Sequence, residues 1–234
     1  MTSSSSSPPP PPKLDLGFTE PFADGWRAKC KYMPCKVGGR PAFLALAPVL
    51  GPPELTCSVC GRTLRFLLQL YAPVDTEPTA FHRSLFLFAC GRTAACLEDN
   101  HQHQQSNFRI FRSQLPKENR FYSSRPPEYD AALKEDPDPE YDPNPAEFGV
   151  QLCPVCGVRA PHRCGRCQKT SYCSREHQVL HWKRGGHKAV CEGNAKEEEE
   201  KEESKTEEVH YEGVVFPGKV LQGYQLFVYQ FLKA

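Results

Sequence analysis

The chain has 234 residues with 29 Lys+Arg against 28 Asp+Glu, a formal net charge of +1. That balance excludes neither a basic arm nor an acidic tail, because the charge is segregated. Residues 14–125 carry 14 basic and nine acidic groups, 126–150 one and eight, 151–193 eight and two, and 194–234 five and nine. Alternating blocks of this kind mark separate modules. No run approaches the ~18 apolar residues that cross a bilayer.

Five of the 23 prolines lie in 8–12 and six in 126–145. Proline fixes φ and donates no backbone hydrogen bond, so such stretches make extended spacers. The division that follows is a disordered Ser/Pro tract (1–13), a first module (14–125), an acidic Pro-rich linker (126–150), a second module (151–193) and an acidic, partly disordered tail (194–234). The start, Met1-Thr-Ser-Ser-Ser-Ser-Ser-Pro, has neither the basic nor the apolar region of a secretory signal. An intracellular, reducing compartment is therefore expected, where twelve cysteines point to metal thiolates rather than disulfides. A second module of about 43 residues is too small to stand without such a staple.

In the first module Ala42 to Leu46, Leu64 to Ala72, Ser84 to Ala89 and Asn107 to Arg112 read as strands. Phe108 and Ile110 fall on one face of the last, with Arg109 opposite. Cys57-Ser-Val-Cys60-Gly is a zinc half-site, and its partners are Cys90 and Cys96, across 29 residues of strand-like sequence. Half-site, strands and returning half-site make a zinc-ribbon-like layout, although the closing Cys-x5-Cys pair is looser than the usual knuckle. A redox reading wants Cys-x-x-Cys entering a helix in a βαβ unit, and none is readable here. Cys30 and Cys35 read as ordinary thiols. Glycine follows Cys60, Cys90, Cys156 and Cys164, where it permits a tight turn that aims backbone N–H groups at sulfur.

The second module carries Cys153-x2-Cys156-x7-Cys164-x2-Cys167-x5-Cys173-x3-His177-x9-His187-x3-Cys191. Each Cys-x2-Cys supplies half a tetrahedral site, and each Cys-x3-His or His-x3-Cys pair, at i and i+4 of a helix, supplies another half. Sequential pairing would make one all-thiolate site. Interleaving joins Cys153 and Cys156 to Cys173 and His177, and Cys164 and Cys167 to His187 and Cys191. Interleaving is favoured because it ties the whole span together, with His181 a runner-up ligand.

These spacings, with Tyr172 before the third pair and Gln178 and Trp182 after His177, resemble the MYND zinc finger. The resemblance implies interleaved zinc sites and a shallow groove for proline-containing peptides, with Gln178 and Trp182 as the peptide-binding positions. Packing is the competing role for Trp182. Seven basic residues (Arg159, Arg163, Arg166, Lys169, Lys183, Arg184 and Lys188) could meet phosphate. No aromatic stacking series or groove-reading helix accompanies them, so direct nucleic-acid binding is not expected.

A wider resemblance covers residues 14–192. Leu16-Gly-Phe, Lys36-Val-Gly-Gly-Arg-Pro-Ala-Phe-Leu, Leu67-Leu-Gln-Leu-Tyr-Ala-Pro, Phe81-His-Arg-Ser-Leu-Phe-Leu-Phe-Ala-Cys and Phe108-Arg-Ile-Phe-Arg-Ser-Gln-Leu-Pro occur in order, followed by the finger. This arrangement resembles the programmed cell death protein 2 family, with Phe43 where relatives usually carry Trp. The family's C-terminal domain is expected to be missing: Val215-Phe216-Pro217 is similar to its start and Gly218 to Ala234 looks unrelated, which suggests a truncated or alternatively spliced product. The resemblance implies a dedicated escort for a newly made, basic small-subunit ribosomal protein, supporting ribosome assembly. It also implies association with transcriptional corepressors and with cell-death or proliferation control.

The fold expected is thus a pair of small α+β zinc-stapled modules, mainly β in the first with a zinc-ribbon-like site, then a MYND-type two-zinc finger. The sequence holds no glycine-rich phosphate loop, His-Glu-x-x-His or nucleophile elbow. A non-catalytic monomer of cytoplasm and nucleus, holding Zn2+ and docking proteins, is the resulting expectation.

Overall fold

A computed structural model describes residues 18–20, 24–96, 107–125, 133–192 and 219–222. The strands are β1 (Phe18–Glu20), β2 (Lys36–Val37), β3 (Arg65–Tyr71), β4 (His82–Ala89), β5 (Phe108–Leu115), β6 (His162–Arg163), β7 (Ser171–Tyr172) and β8 (Lys219–Gln222). The helices are α1 (Arg175–Arg184) and α2 (His187–Cys191). One antiparallel sheet has the order β1-β8-β2-β3-β4-β5, and β6 and β7 form a small second one. The acidic run 196–208 and the Ser/Pro tract lie outside the described residues. No helix among the described residues is long and apolar enough to cross a membrane.

Three of the four expected strands form, as β3, β4 and β5. Ala42 to Leu46 does not. Its main-chain groups are taken by side chains instead of a ladder: Ala42 N–H donates to Gln69 Oε1 at 2.8 Å, Gln69 Nε2 donates back to Ala42 O at 3.2 Å, and the Tyr122 hydroxyl donates to Phe43 O at 3.1 Å. The segment is buried all the same, and Phe43 packs on Phe86 with ring centroids 5.4 Å apart. Apolar content reported burial here, and buried polar side chains decided the backbone.

Register sorts the sheet into two faces. Phe66, Phe86 and Phe88 point into the core. On the other face Val37 opposes Leu68, Leu68 opposes Leu87, and Leu87 opposes Ile110, a row across four strands. Ile110 at its end is 69% exposed and Phe108 beside it 43%. The apolar alternation of β5 therefore faces outward, while Arg109 on the inner side donates from Nη1 to Glu54 O at 2.8 Å.

Residues 133–148 are not a solvated spacer. They lie along the first module, with Arg27 Nη2 donating to Leu133 O at 2.5 Å and Trp26 Nε1 to Lys134 O at 3.2 Å. Asp136 receives Lys31 Nζ at 2.9 Å and the Tyr32 hydroxyl at 2.6 Å, and Lys29 sits 3.2 Å from its other oxygen. Lys31 also donates to Asp138 O, and Phe148 stacks edge-on against Phe121. An acidic composition reads as solvation until its counter-charges are located, and those lie over a hundred positions upstream. One hydrophobic cluster then continues from Phe43, Phe86 and Phe88 to Cys153, Val155 and Val158, so both modules share a core.

The Lys31 side chain is fully shielded from solvent beside Asp136. Asp136→Asn strands a buried ammonium and is expected to cost about 3 kcal/mol, read as a lowered denaturation midpoint. Burial alone would raise the Asp136 carboxyl, but hydrogen bonds from Tyr32 and Lys31 outweigh it and hold the pKa well below the usual range. The stabilisation is thus complete above pH ~4 and disappears as pH falls further towards the depressed folded value. Unchanged acid stability in Asp136→Asn would remove this assignment.

Candidate metal centres

Three Cys-x2-Cys turns are built alike. The first cysteine's N–H closes the turn on a carbonyl beyond it, at 2.8 Å from Cys57 to Arg62, from Cys153 to Val158 and from Cys164 to Thr170. The residue after the second cysteine returns its N–H to the first cysteine's carbonyl: Gly61 to Cys57 at 2.9 Å, Gly157 to Cys153 at 2.8 Å and Gln168 to Cys164 at 3.0 Å. That residue has positive φ each time, +69° at Gly61, +74° at Gly157 and +59° at Gln168. The glycine rule from sequence therefore holds at Gly61 and Gly157. Gly91 and Gly165 are not in this left-handed position, and in the third turn Gln168 carries it.

The turns bring twelve donors into three sets, each with its atoms within 4.8 Å of one another: Cys57, Cys60, Cys90 and Cys96; Cys153, Cys156, Cys173 and His177; Cys164, Cys167, His187 and Cys191. The second module's sets are interleaved, as spacing favoured. Two thiolates on one zinc sit about 3.8 Å apart, the edge of a tetrahedron with bonds of about 2.3 Å. Sulfur separations of 4.0 Å for Cys57–Cys96, 3.6 Å for Cys60–Cys90, 3.5 Å for Cys156–Cys173 and 3.9 Å for Cys164–Cys191 match that edge. His177 Nδ1 lies 3.1 Å from Cys173 Sγ and 3.7 Å from Cys153 Sγ, whereas His187 presents Nε2, 3.8 Å from Cys167 Sγ. The donor chemistry and spacing fit zinc.

The crowded donors of each set shift one another's protonation in opposite directions. Hydrogen bonds from Cys156 and Cys173 pull the Cys153 thiol far below its ordinary pKa, while the hydrogen bonds Cys156 makes to Cys153 and Cys173, together with burial, push Cys156 well above. Burial would lower His177, yet its bonds to Cys153 and Cys173 raise it to about 9. In the first module the Thr93 hydroxyl donates to Cys96 Sγ at 3.0 Å and brings that thiol down to about 7, which tightens the loose Cys-x5-Cys closure. Burial lifts Cys90 to about 12. In the third set the backbone N–H of Lys169 lowers Cys167 to about 7. Thr170 reaches the outer Nδ1 of His187 at 3.4 Å, the kind of outer partner that fixes a ligand ring.

Ser174 caps α1, its hydroxyl accepting from His177 N–H at 3.3 Å, and so starts the helix where a ligand is needed on its first turn. Gly185 ends α1 and Gly186, at φ +76°, begins α2, so the glycine pair makes the corner between His177 and His187. His181 is not among the donors. Its Nδ1 shares a hydrogen bond with the Tyr172 hydroxyl at 3.0 Å, and its ring stacks on His187 at 5.4 Å. Trp182 packs its edge on His187 at 5.8 Å, and Gln178 lies half-buried one turn earlier on α1. Cys30 and Cys35 lie outside all three sets. Burial raises both thiols, Cys30 to about 11, and Tyr71 N–H donates to Cys35 Sγ at 3.2 Å.

Contacts between the modules went unread in the sequence. Arg159 N–H donates to Leu50 O at 2.8 Å and its Nε to Val49 O at 3.1 Å. Arg92 Nη1 meets Glu176 Oε1 at 2.5 Å, and Arg62 approaches the same oxygen at 3.7 Å. A signal was present: Cys60-Gly61-Arg62 and Cys90-Gly91-Arg92 repeat the arginine as well as the glycine. Of the basic residues considered for phosphate, Arg159 and Arg166 are engaged internally, the latter with Glu192 at 3.2 Å.

Comparison with known proteins agrees with this architecture. The programmed cell death protein 2 N-terminal domain matches residues 13–129, and the MYND finger matches 153–191. The chain belongs to the programmed cell death protein 2 family. It is 48% identical to the Bos taurus programmed cell death protein 2 over 180 residues, covering 76% of this chain and 47% of that protein. The Rattus norvegicus protein is 47% identical over 178 residues, 76% of this chain and 48% of the relative. The chain thus spans about half the length of the curated relatives it matches. A stretch of 53 residues is 43% identical to human Egl nine homolog 1, over 22% of this chain and 12% of that protein. No solved structure matches. The finger is a zinc-binding protein-interaction module, and neither matching family is a catalytic one.

Gly61 and Gly157 form a controlled pair. A Cβ at Gly61 meets nothing within 4 Å, whereas at Gly157 it would lie 2.8 Å from Arg40 Cβ. Gly61→Ala is expected to cost roughly 1 kcal/mol for its positive φ alone. Gly157→Ala should cost clearly more, because the finger must also shift from the first module. Equal unfolding midpoints for the two variants would contradict this packing.

Proposed function

We propose that the chain is a three-zinc, non-catalytic adaptor that escorts a newly made, basic protein of the small ribosomal subunit, with the finger docking a second, proline-containing partner. The observation that carries the reading is closure of the sites. Each set supplies four protein donors, which completes a tetrahedron and leaves no position for a catalytic water. The metals then act as scaffold, and function falls to surfaces. Two surfaces support it: the outward row ending at Ile110 and Phe108, an exposed apolar patch of the kind that meets other proteins, and α1 with Gln178 and Trp182. Family membership supports the escort role, and this reading places the protein in cytoplasm and nucleus.

A second reading makes the chain a nuclear corepressor adaptor concerned with cell death or proliferation, in which the finger alone binds. It is favoured by the name of its relatives. The packing of the finger on the first module, through Arg159 and the shared cluster, favours the two-surface arrangement.

Metal analysis of the purified chain is expected to give three zincs. Ile110→Lys should keep all three and lose about tenfold in capture of in-vitro-translated small-subunit proteins, about 1.4 kcal/mol. Trp182→Ala should keep client capture and weaken proline-peptide binding. Full client capture by Ile110→Lys, with loss only on Trp182→Ala, would instead support the finger-alone reading.

A further inference from the structure

Outside the donor sets, Arg92 is the residue most at odds with its surroundings. Its side chain is 10% exposed, and its Nε and Nη2 have no acceptor among the described residues. A guanidinium buried with idle N–H groups is costly unless anions balance it. Anions stand on both sides. The main-chain N–H of Arg92 bonds the Cys90 sulfur, so Arg92 belongs to the turn that presents that ligand. Its Nη1 crosses 84 positions to Glu176 at 2.5 Å, and Glu176 lies in the first turn of α1, immediately before His177. Arg62 shares that carboxylate at 3.7 Å. Arg65 stands beside the same turn, paired in the sheet with Ala89, the residue before Cys90. A zinc held by four thiolates keeps a net charge of about −2, and one held by three thiolates and an imidazole about −1. The basic cluster therefore lies between the first module's metal site and the helix that supplies a ligand to the finger's first site.

We propose that Arg92 is a positioning residue through which metal in the Cys57–Cys60–Cys90–Cys96 site holds α1, so that loading this site slows metal loss from Cys153–Cys156–Cys173–His177. The inference rests on the reading that both sets bind zinc. The Cys90 turn has a fixed shape only while its sulfur is coordinated. With the turn fixed, Arg92 keeps Glu176, and Glu176 keeps the first turn of α1 and His177 in place.

The test uses the full chain loaded with cobalt(II), whose absorption separates four-thiolate sites from three-thiolate–imidazole sites, under chelator challenge. In Cys57→Ser/Cys60→Ser, which lacks the first site, one of the two finger release phases is expected to quicken about 10-fold, the usual scale for loss of an outer-shell partner. Arg92→Ala and Glu176→Gln should quicken the same phase while still binding three metals. Combining either with Cys57→Ser/Cys60→Ser should add nothing, and Arg92→Lys should recover part of the effect. Identical finger release with the first site present and absent overturns the proposal. So does acceleration of both finger phases alike in Arg92→Ala, which is what general loosening would give. Fewer than three metals on the wild-type chain overturns the zinc reading as well, and is seen before any chelator is added.

Discussion

Gathering four sulfur or imidazole donors within 4.8 Å of one another is unfavourable for a chain in water, because thiolates repel and burial penalises their charge. A divalent cation reverses the sign of that energy, and binding becomes folding free energy. Three donor sets among the described residues pose this problem. The contacts that hold the finger to the first module lie close to ligands in sequence: Arg92 two residues after Cys90, Glu176 beside His177, Arg159 three after Cys156, and Gly157 directly after Cys156 against Arg40. Cysteines are also part of the shared core, where Cys57, Cys90, Cys96, Cys153 and Cys173 are buried with Phe86 and Phe88. Metal sites and hydrophobic packing are therefore one system here.

The ligand sets were legible because coordination leaves its spacing in the chain. Cys-x2-Cys and the i, i+4 pairs are local geometry, so their assignment needed no tertiary information. Strands β3, β4 and β5 were legible for a similar reason, each being a short run rich in leucine and aromatic residues, bounded by turn formers. What the sequence concealed is long-range polar pairing. Asp136 reads as one more acid in a proline-rich spacer until Lys31, 105 positions away, is found buried beside it. Ala42 to Leu46 reads as a strand until Gln69 takes its main-chain groups. Composition reports the sum of a segment's preferences, and a buried hydrogen bond to a distant side chain outweighs that sum.

The left-handed residue of the third knuckle makes the same point on a smaller scale. Glycine after a cysteine was expected to mark the turn, yet at Cys164-Gly165 the positive φ falls on Gln168, after the second cysteine of the pair. What the turn requires is an N–H returned to the first cysteine's carbonyl, and Gln168 supplies it at 3.0 Å. Glycine makes that conformation inexpensive without being required for it. A motif is more reliably recognised by the hydrogen bonds it must satisfy than by the residue that usually satisfies them.

These constraints bear on how such a molecule can act. A finger on a flexible tether would search for its peptide independently of whatever the first module holds. Here residues 133–148 run along the first module by way of Arg27, Lys29, Lys31 and Tyr32, and the finger then packs on the loop at Val49 and Leu50. The outward row at Ile110 and the α1 surface are thereby placed in a set relation. Two partners bound at once would be held in a defined mutual orientation, and avidity between linked sites depends on such geometry. A fixed relation of this kind suits an adaptor that must present one protein to another, and a catalytic site is not needed for it.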